Sequence, residues 1–328
     1  MNLDPEINSA GNAITLANAY MEARNYGRAQ EVLGLALTQN PHNATLLTEL
    51  ARARHLSGDN DVAEQSVVRA LALTPDDAYP MRIYASVLVE LGRRREGLSW
   101  ARRAVDAAPL DHTTHYEYAR LLTTTGDAAV ALPVATEALR LAPANADAHD
   151  LMGVILGMLG RRAESTAEHE EALRLEPGHA RALANIAVNR ANSRNLSGAL
   201  TGFREAAQLD PHLGDEVRKN ITATVRVWLS WTTIAAWAAL WISVRIQEHA
   251  DAASPGARIV AGLGCIVMLV MFGWLARSLP RNLWAPVLRQ REFRSLKIYL
   301  GLGVVVLGVL GAFTLGHRST SGFRWAPC

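Results

Sequence analysis

Small and large apolar residues recur along the first two-thirds of the chain with a fixed period. Ala17, Ala51, Ala85, Ala119, Gly153 and Ala187 lie 34 residues apart, each preceded by a larger apolar residue: Leu16, Leu50, Tyr84, Tyr118, Met152 and Ile186. A second small series is Ala29, Ala63, Gly97, Ala131, Ser165 and Ala199, and a third is Ala36, Ala70, Ala104, Ala138, Ala172 and Ala206. Small residues at fixed places let two helices cross closely, and larger apolar ones fill the space beside them. Each unit is therefore predicted to be a pair of amphipathic helices.

The punctuation has the same period. Pro41, Pro75, Pro109, Pro143, Pro177 and Pro211 end the second helix of each unit, because proline lacks an amide proton and clashes with the preceding turn. Asn43, Asp77, Asp111 and Asn145 come two residues later, placed to cap the next helix through its free amides. Gly58, Gly92, Gly126 and Gly160 mark the hinge inside a unit, where glycine ends a helix in the left-handed region. Units are expected to start near Ala10, Ala44, Ala78, His112, Ala146 and Ala180.

A helix–turn–helix unit of 34 residues with these small, large and proline positions resembles the tetratricopeptide repeat family. The resemblance covers about 200 residues and departs from the family pattern in places. The usual first-helix tryptophan is replaced by Ala13, Leu47, Met81, His115, His149 and Leu183, and the usual tyrosine is kept only at Tyr20. Arg24 and Arg194 occupy hinge positions where glycine is expected. The implied fold is all-α: a right-handed solenoid of six repeats over residues 10–213, after a short lead-in at 1–9. Residues 214–226 are expected to form a capping helix that connects the repeats to the last third of the chain.

The last third has a different character. Three stretches, 227–244, 259–276 and 298–316, contain no Asp, Glu, Lys, Arg or His. Each would span roughly 27–29 Å as a helix, close to the thickness of a hydrocarbon core. Buried core helices of a soluble domain are the alternative. Bounding Arg, Lys or His residues, with Trp228, Trp231, Trp241 and Trp274 near the ends, fit three transmembrane helices better.

Charge divides the chain at the same place. Residues 1–225 hold 22 Lys+Arg against 28 Asp+Glu, whereas residues 226–328 hold 11 against 3. Arg218, Lys219 and Arg226, with six basic residues in the loop 277–297, fall on one side of the expected spans. Arg245, Arg258, Arg318 and Arg324 fall on the other. The positive-inside rule then puts the repeats and that loop in the cytoplasm and the tail 317–328 outside. Met1–Gly11 has neither a basic start nor an apolar core, so the repeats are expected to stay where they are made. Alanine is abundant and arginine outnumbers lysine 31 to 2. The expected location is therefore a bacterial plasma membrane.

Several chemistries are argued against. The only cysteines are Cys265 and Cys328, which excludes a disulfide framework and a cysteine-based zinc site within the chain. No phosphate-binding glycine loop, nucleophile elbow or His-Glu-x-x-His motif occurs, so neither an enzyme nor a cofactor is expected. The acidic repeat region disfavours nucleic acid. His112, His115, His149 and His169 could be imagined as a metal site or pH switch, with His169 facing His149. Histidines standing in for core residues are the preferred reading.

The family resemblance implies a groove lined by first-helix residues that holds a protein or peptide segment. Its positions here include Asn18, Glu49, Arg52, His55, Tyr79, Arg82, Ser86, Tyr116, Glu117, Arg120, Asp147, Asp150 and Arg181. Tyrosine and arginine are the residue types enriched among binding anchors, although Glu49 with Arg52 and Glu117 with Arg120 could simply pair along their helices. Family members that grip the carboxylate tail of heat-shock chaperones use a lysine/asparagine clamp. Asn18 fits it, but Ile14, Glu49 and Ile83 do not, and an acidic tail is expected to meet Glu49 unfavourably. Arg289, Arg291, Arg294 and Lys297 would lie beside the cytoplasmic leaflet, where they set topology or attract anionic lipid. The expected function is a membrane-tethered adaptor; the alternative is a structural subunit of an integral secretion or envelope-assembly complex, with membrane-protein partners at the spans.

Overall fold

The structure is a computed structural model that describes residues 10–193, 195–213, 219, 220 and 223. The lead-in, most of the capping helix, the three apolar stretches, the basic loop and the tail lie outside the described residues. Among those described, no helix is long and apolar enough to cross a membrane. By its contacts the chain divides into two compact units, Met1–Ala182 and Leu183–Cys328.

The described residues form twelve α-helices, paired along the sequence as helix–turn–helix repeats, and no strands. The first helices of the repeats are α1 (Ala10–Glu22), α3 (Ala44–Ser57), α5 (Ala78–Glu90), α7 (His112–Thr125), α9 (Ala146–Met158) and α11 (Ala180–Asn192). The second helices are α2 (Tyr26–Gln39), α4 (Asn60–Leu73), α6 (Arg94–Ala107), α8 (Ala128–Leu141), α10 (Arg162–Leu175) and α12 (Leu196–Leu209). A 3-10 turn comes next at Pro211–Leu213.

The expected caps are made. Asn43, Asp77, Asp111 and Asn145 accept from the amides of Leu46, Tyr79, Thr113 and Ala148 at 2.9–3.0 Å. The hinges are equally regular. The residue after each hinge donates its amide to a carbonyl five residues back: Asn25 to Tyr20, Asp59 to Arg54, Arg93 to Leu88, Asp127 to Leu122 and Arg161 to Leu156, at 2.8–2.9 Å. This closure places the hinge residue at positive φ. Four glycines adopt it, and so does Arg24, at φ 55°. Arginine thus takes the hinge conformation in the first repeat at a steric cost of about 1–2 kcal/mol.

In the first unit, each first helix packs on its own second helix, and successive first helices also touch: α1 with α3, α3 with α5, α5 with α7 and α7 with α9. The core is a chain of small clusters passed from repeat to repeat. One joins Ala13, Ala17, Leu33 and Leu46; the next joins Ala51, Val67, Met81, Leu88 and Ala104; another joins Ala119, Ala131, Leu151 and Ile155. The small residues mark the crossings. A Cβ on Gly97 of α6 would stand 2.7 Å from the Ala85 carbonyl oxygen and 2.7 Å from a Val89 methyl on α5. Trp100 closes the same crossing with its ring centroid 5.1 Å from that of Tyr84. In the second unit, Phe203 and Ala206 of α12 and Ala187 of α11 are fully buried, and a Cβ on Gly202 would come within 3.0 Å of the Ala187 Cβ.

Candidate functional site

Repeat geometry gives the site its layout. With the chain returning every 34 residues, Asn18, Arg52, Ser86 and Arg120 hold the same first-helix position, and adjacent first helices are in contact. Their side chains meet in pairs. Arg52 donates Nη2 to Asn18 Oδ1 of the previous repeat. Arg120 donates Nη2 to Ser86 Oγ at 3.3 Å, and Ser86 donates to Glu117 Oε1.

The carboxylates at the position three residues earlier tie these pairs together. Arg52 Nε donates to Glu49 Oε2 at 2.9 Å, while Tyr79 of the next repeat donates its hydroxyl to Glu49 Oε1 at 2.8 Å. Glu117 receives Arg120 Nε on Oε2 at 2.8 Å and Nη2 on Oε1 at 2.6 Å. Both pairings along the helix therefore form, and each also reaches a neighbouring repeat. Burial works against the charge on Glu117, but the Arg120 hydrogen bonds and charge, the Ser86 hydroxyl and the charge of Arg82 hold its carboxyl below the usual range. Burial, and then the nearby Glu49 carboxylate, push the Tyr79 hydroxyl well above its ordinary value. It therefore stays a donor.

Further along, Asp147 accepts from Arg181 in the next repeat, and His179 Nε2 lies 3.3 Å from the same Asp147 oxygen. His179 Nδ1 accepts the Ala182 amide at 3.1 Å. Imidazole thus serves where repeats two to five use Asn or Asp, and this fixes the proton on Nε2, facing Asp147. The His179 hydrogen bond, ahead of the charge of Arg181, holds Asp147 below its ordinary value. The Asp147 hydrogen bond in turn raises His179, against the demand of the Ala182 amide for a lone pair on Nδ1. Tyr116 is raised by burial first and by Asp147 second.

Not every expected groove residue is available to a partner. Glu49 is 6 % exposed, Ser86 4 % and Asp150 6 %; they shape the face through what they hold. Asp150 faces His169 of α10, Oδ1 to Nδ1 at 2.8 Å, at an angle outside hydrogen-bond geometry. His55 turns to Asn60 on α4 at 2.7 Å and stays out of the network. Asn18, Arg52, Tyr79, Arg82, Tyr116 and Arg120 are half-buried, and Asp147 and Arg181 are exposed.

His115, His149 and His169 are engaged within the repeats, and His112 Nδ1 lies 3.9 Å from Asp111. His115 and His149 bond the carbonyls of Pro109 and Pro143 at 2.8 and 3.1 Å, and His149 Nδ1 meets Glu168 at 2.7 Å. His169 faces Asp150 rather than His149. Its ring fills the space beside Gly153, where a Cβ would stand 2.5 Å from a ring carbon. Among the described residues no group of three or more His, Cys, Asp or Glu could hold a metal ion.

A tetratricopeptide repeat model matches residues 14–78 and 85–146. Among solved structures, the chain is similar to YrrB, described as a TPR protein with an unusual peptide-binding site: 22 % identity over 58 % of this chain and 99 % of that one, TM-score 0.40. It is similar to a chain of the APC/C hetero-tetramer Cut9-Hcn1, with 15 % identity over 67 % of this chain and 44 % of that one, TM-score 0.57. The Pseudomonas aeruginosa pilF structure is 18 % identical over 61 % of this chain and 90 % of that one, TM-score 0.48. The Cut9-Hcn1 likeness is one of fold, and this chain spans less than half of that one. No curated protein sequence matches the chain. The matched segments, the 34-residue period and the capped helix pairs agree: residues 14–78 and 85–146 of this chain are tetratricopeptide repeats.

Proposed function

We propose that this protein is a membrane-tethered adaptor whose first-helix face captures a protein or peptide segment on the cytoplasmic side of a bacterial plasma membrane. The observation that carries the capture reading is the continuity of that face. Tyr79, Arg82, Tyr116, Arg120, Asp147 and Arg181 come from four successive first helices, and the bonds among and beneath them run between repeats. A ligand laid across the repeats would meet side chains already held in place, which lowers the ordering cost of binding.

Tethering rests on the sequence alone: the three uncharged stretches after residue 226 and the basic loop between the second and third. YrrB is described as having a peptide-binding site, and a peptide ligand here is our extension. The test is capture by the full-length protein from crosslinked native membranes. Tyr79→Ala with Arg82→Ala is expected to abolish partner recovery while the variant remains in the membrane fraction. Recovery at the wild-type level would refute capture by this face and favour a structural role in a membrane complex. Release of the wild-type chain from membranes by alkaline carbonate would refute the tether.

A further inference from the structure

Four arginines belong to the first-helix face, and three of them are matched with carboxylates. Arg52 holds Glu49, Arg120 holds Glu117, and Arg181 holds Asp147. Arg82, half-buried on α5, has no carboxylate within ion-pair distance among the described residues, and its Nε is buried without an acceptor. Its guanidinium carbon sits 5.2 Å from the centroid of the Tyr79 ring, an arrangement that positions a cation without neutralising it.

The carboxylates around it are already committed. Glu49 has one oxygen on Arg52 and the other on the Tyr79 hydroxyl. Glu117 is held by Arg120 and Ser86. Asp111 accepts the amide and hydroxyl of Thr113 while capping α7. The Nε therefore takes up none of them, and the terminal nitrogens of the guanidinium are what Arg82 has to offer a ligand.

Resting on the capture reading above, we infer that the ligand segment carries an acidic side chain that pairs with Arg82, between the Glu49–Tyr79 and Ser86–Glu117 links. Chemistry and charge agree. A carboxylate offers two acceptors to the planar fork of a guanidinium, the geometry in which charge-assisted pairs are strongest. The objection that an acidic ligand would be repelled by Glu49 loses its force, because Arg52 and Tyr79 occupy both oxygens of that side chain. Arg52 and Arg120 lie in the repeats on either side of Arg82, so the field along the face is not made negative by the paired carboxylates alone.

The test is a random-peptide display selection on the full-length protein in detergent, repeated on Arg82→Met, which keeps an apolar stem beside Tyr79. With the wild type, the recovered peptides should share an Asp or Glu at one position. Changing that residue to Asn or Gln in a synthetic peptide should weaken binding about tenfold, and the change should have no effect with Arg82→Met. Arg82→Lys, which retains charge without the fork, should fall between the two. Recovered peptides without a shared acidic residue, or an acidic preference that survives in Arg82→Met, would overturn this inference and leave the capture reading standing. Recovery of no peptide by the wild type would overturn the capture reading and this inference with it.

Discussion

Glu117 and Arg120 show how one pair of residues serves two purposes. Spaced three apart they pair on α7, and through Ser86 they also fasten α7 to α5. The Glu117 side chain is 15 % exposed and that of Arg120 35 %, so the pair lies between a surface ion pair of little worth and a buried one that is expensive to break. Arg120→Met would strand Glu117 with only the Ser86 hydroxyl, and is expected to lower stability by about 2 kcal/mol in urea unfolding. The pH dependence has a definite direction. An unfolded glutamate titrates near pH 4.3, and the folded carboxyl of Glu117 titrates lower. Its contribution is therefore complete above about pH 4.3 and is lost as pH falls through the folded value. Stability should hold from pH 7 to about pH 5 and decline below about pH 4, with a shallower decline in Glu117→Gln. An identical acid limb in the two proteins would remove Glu117 from this role.

The helices themselves were legible in the sequence to a degree that the side-chain pairing was not. From the second repeat on, first helices begin at Ala44, Ala78, His112, Ala146 and Ala180, where the proline three residues earlier had put them, since its effect on the backbone is local. The partners of long side chains depend on what the next repeat brings alongside. The shared position of Asn18, Arg52, Ser86 and Arg120 was a readable signal for the links between repeats, whereas the His179–Asp147 contact and the choice of Asp150 by His169 had none as plain. Crossings were readable as small residues, and Gly97 gives the sharpest test. Alanine there would gain about 1 kcal/mol in helix propensity. Its methyl would stand 2.7 Å from the Ala85 carbonyl oxygen, and overpacking against backbone costs about 1–3 kcal/mol. Gly97→Ala is therefore expected to be neutral to destabilising by up to about 2 kcal/mol in thermal melting. A clear gain in melting temperature would show that α5 and α6 do not cross so closely.

The molecule as a whole joins two chemistries in one chain. An acidic series of repeats precedes a basic segment with three uncharged stretches of 18, 18 and 19 residues. Repeats of this kind expose a long face for their size. Here that face is braced by bonds between repeats and leaves one arginine unmatched. On the capture reading, the partner lies along the first helices and not along the second ones. The decisive measurement is site-specific photocrosslinking in native membranes, with the photoreactive residue placed at Tyr116 on α7 or at Arg102 on the exposed side of α6. A discrete crosslinked partner is expected from Tyr116, lost when Arg82→Ala is added, and none from Arg102. Equal adducts from both positions, or adducts from Arg102 alone, would contradict capture by the first-helix face.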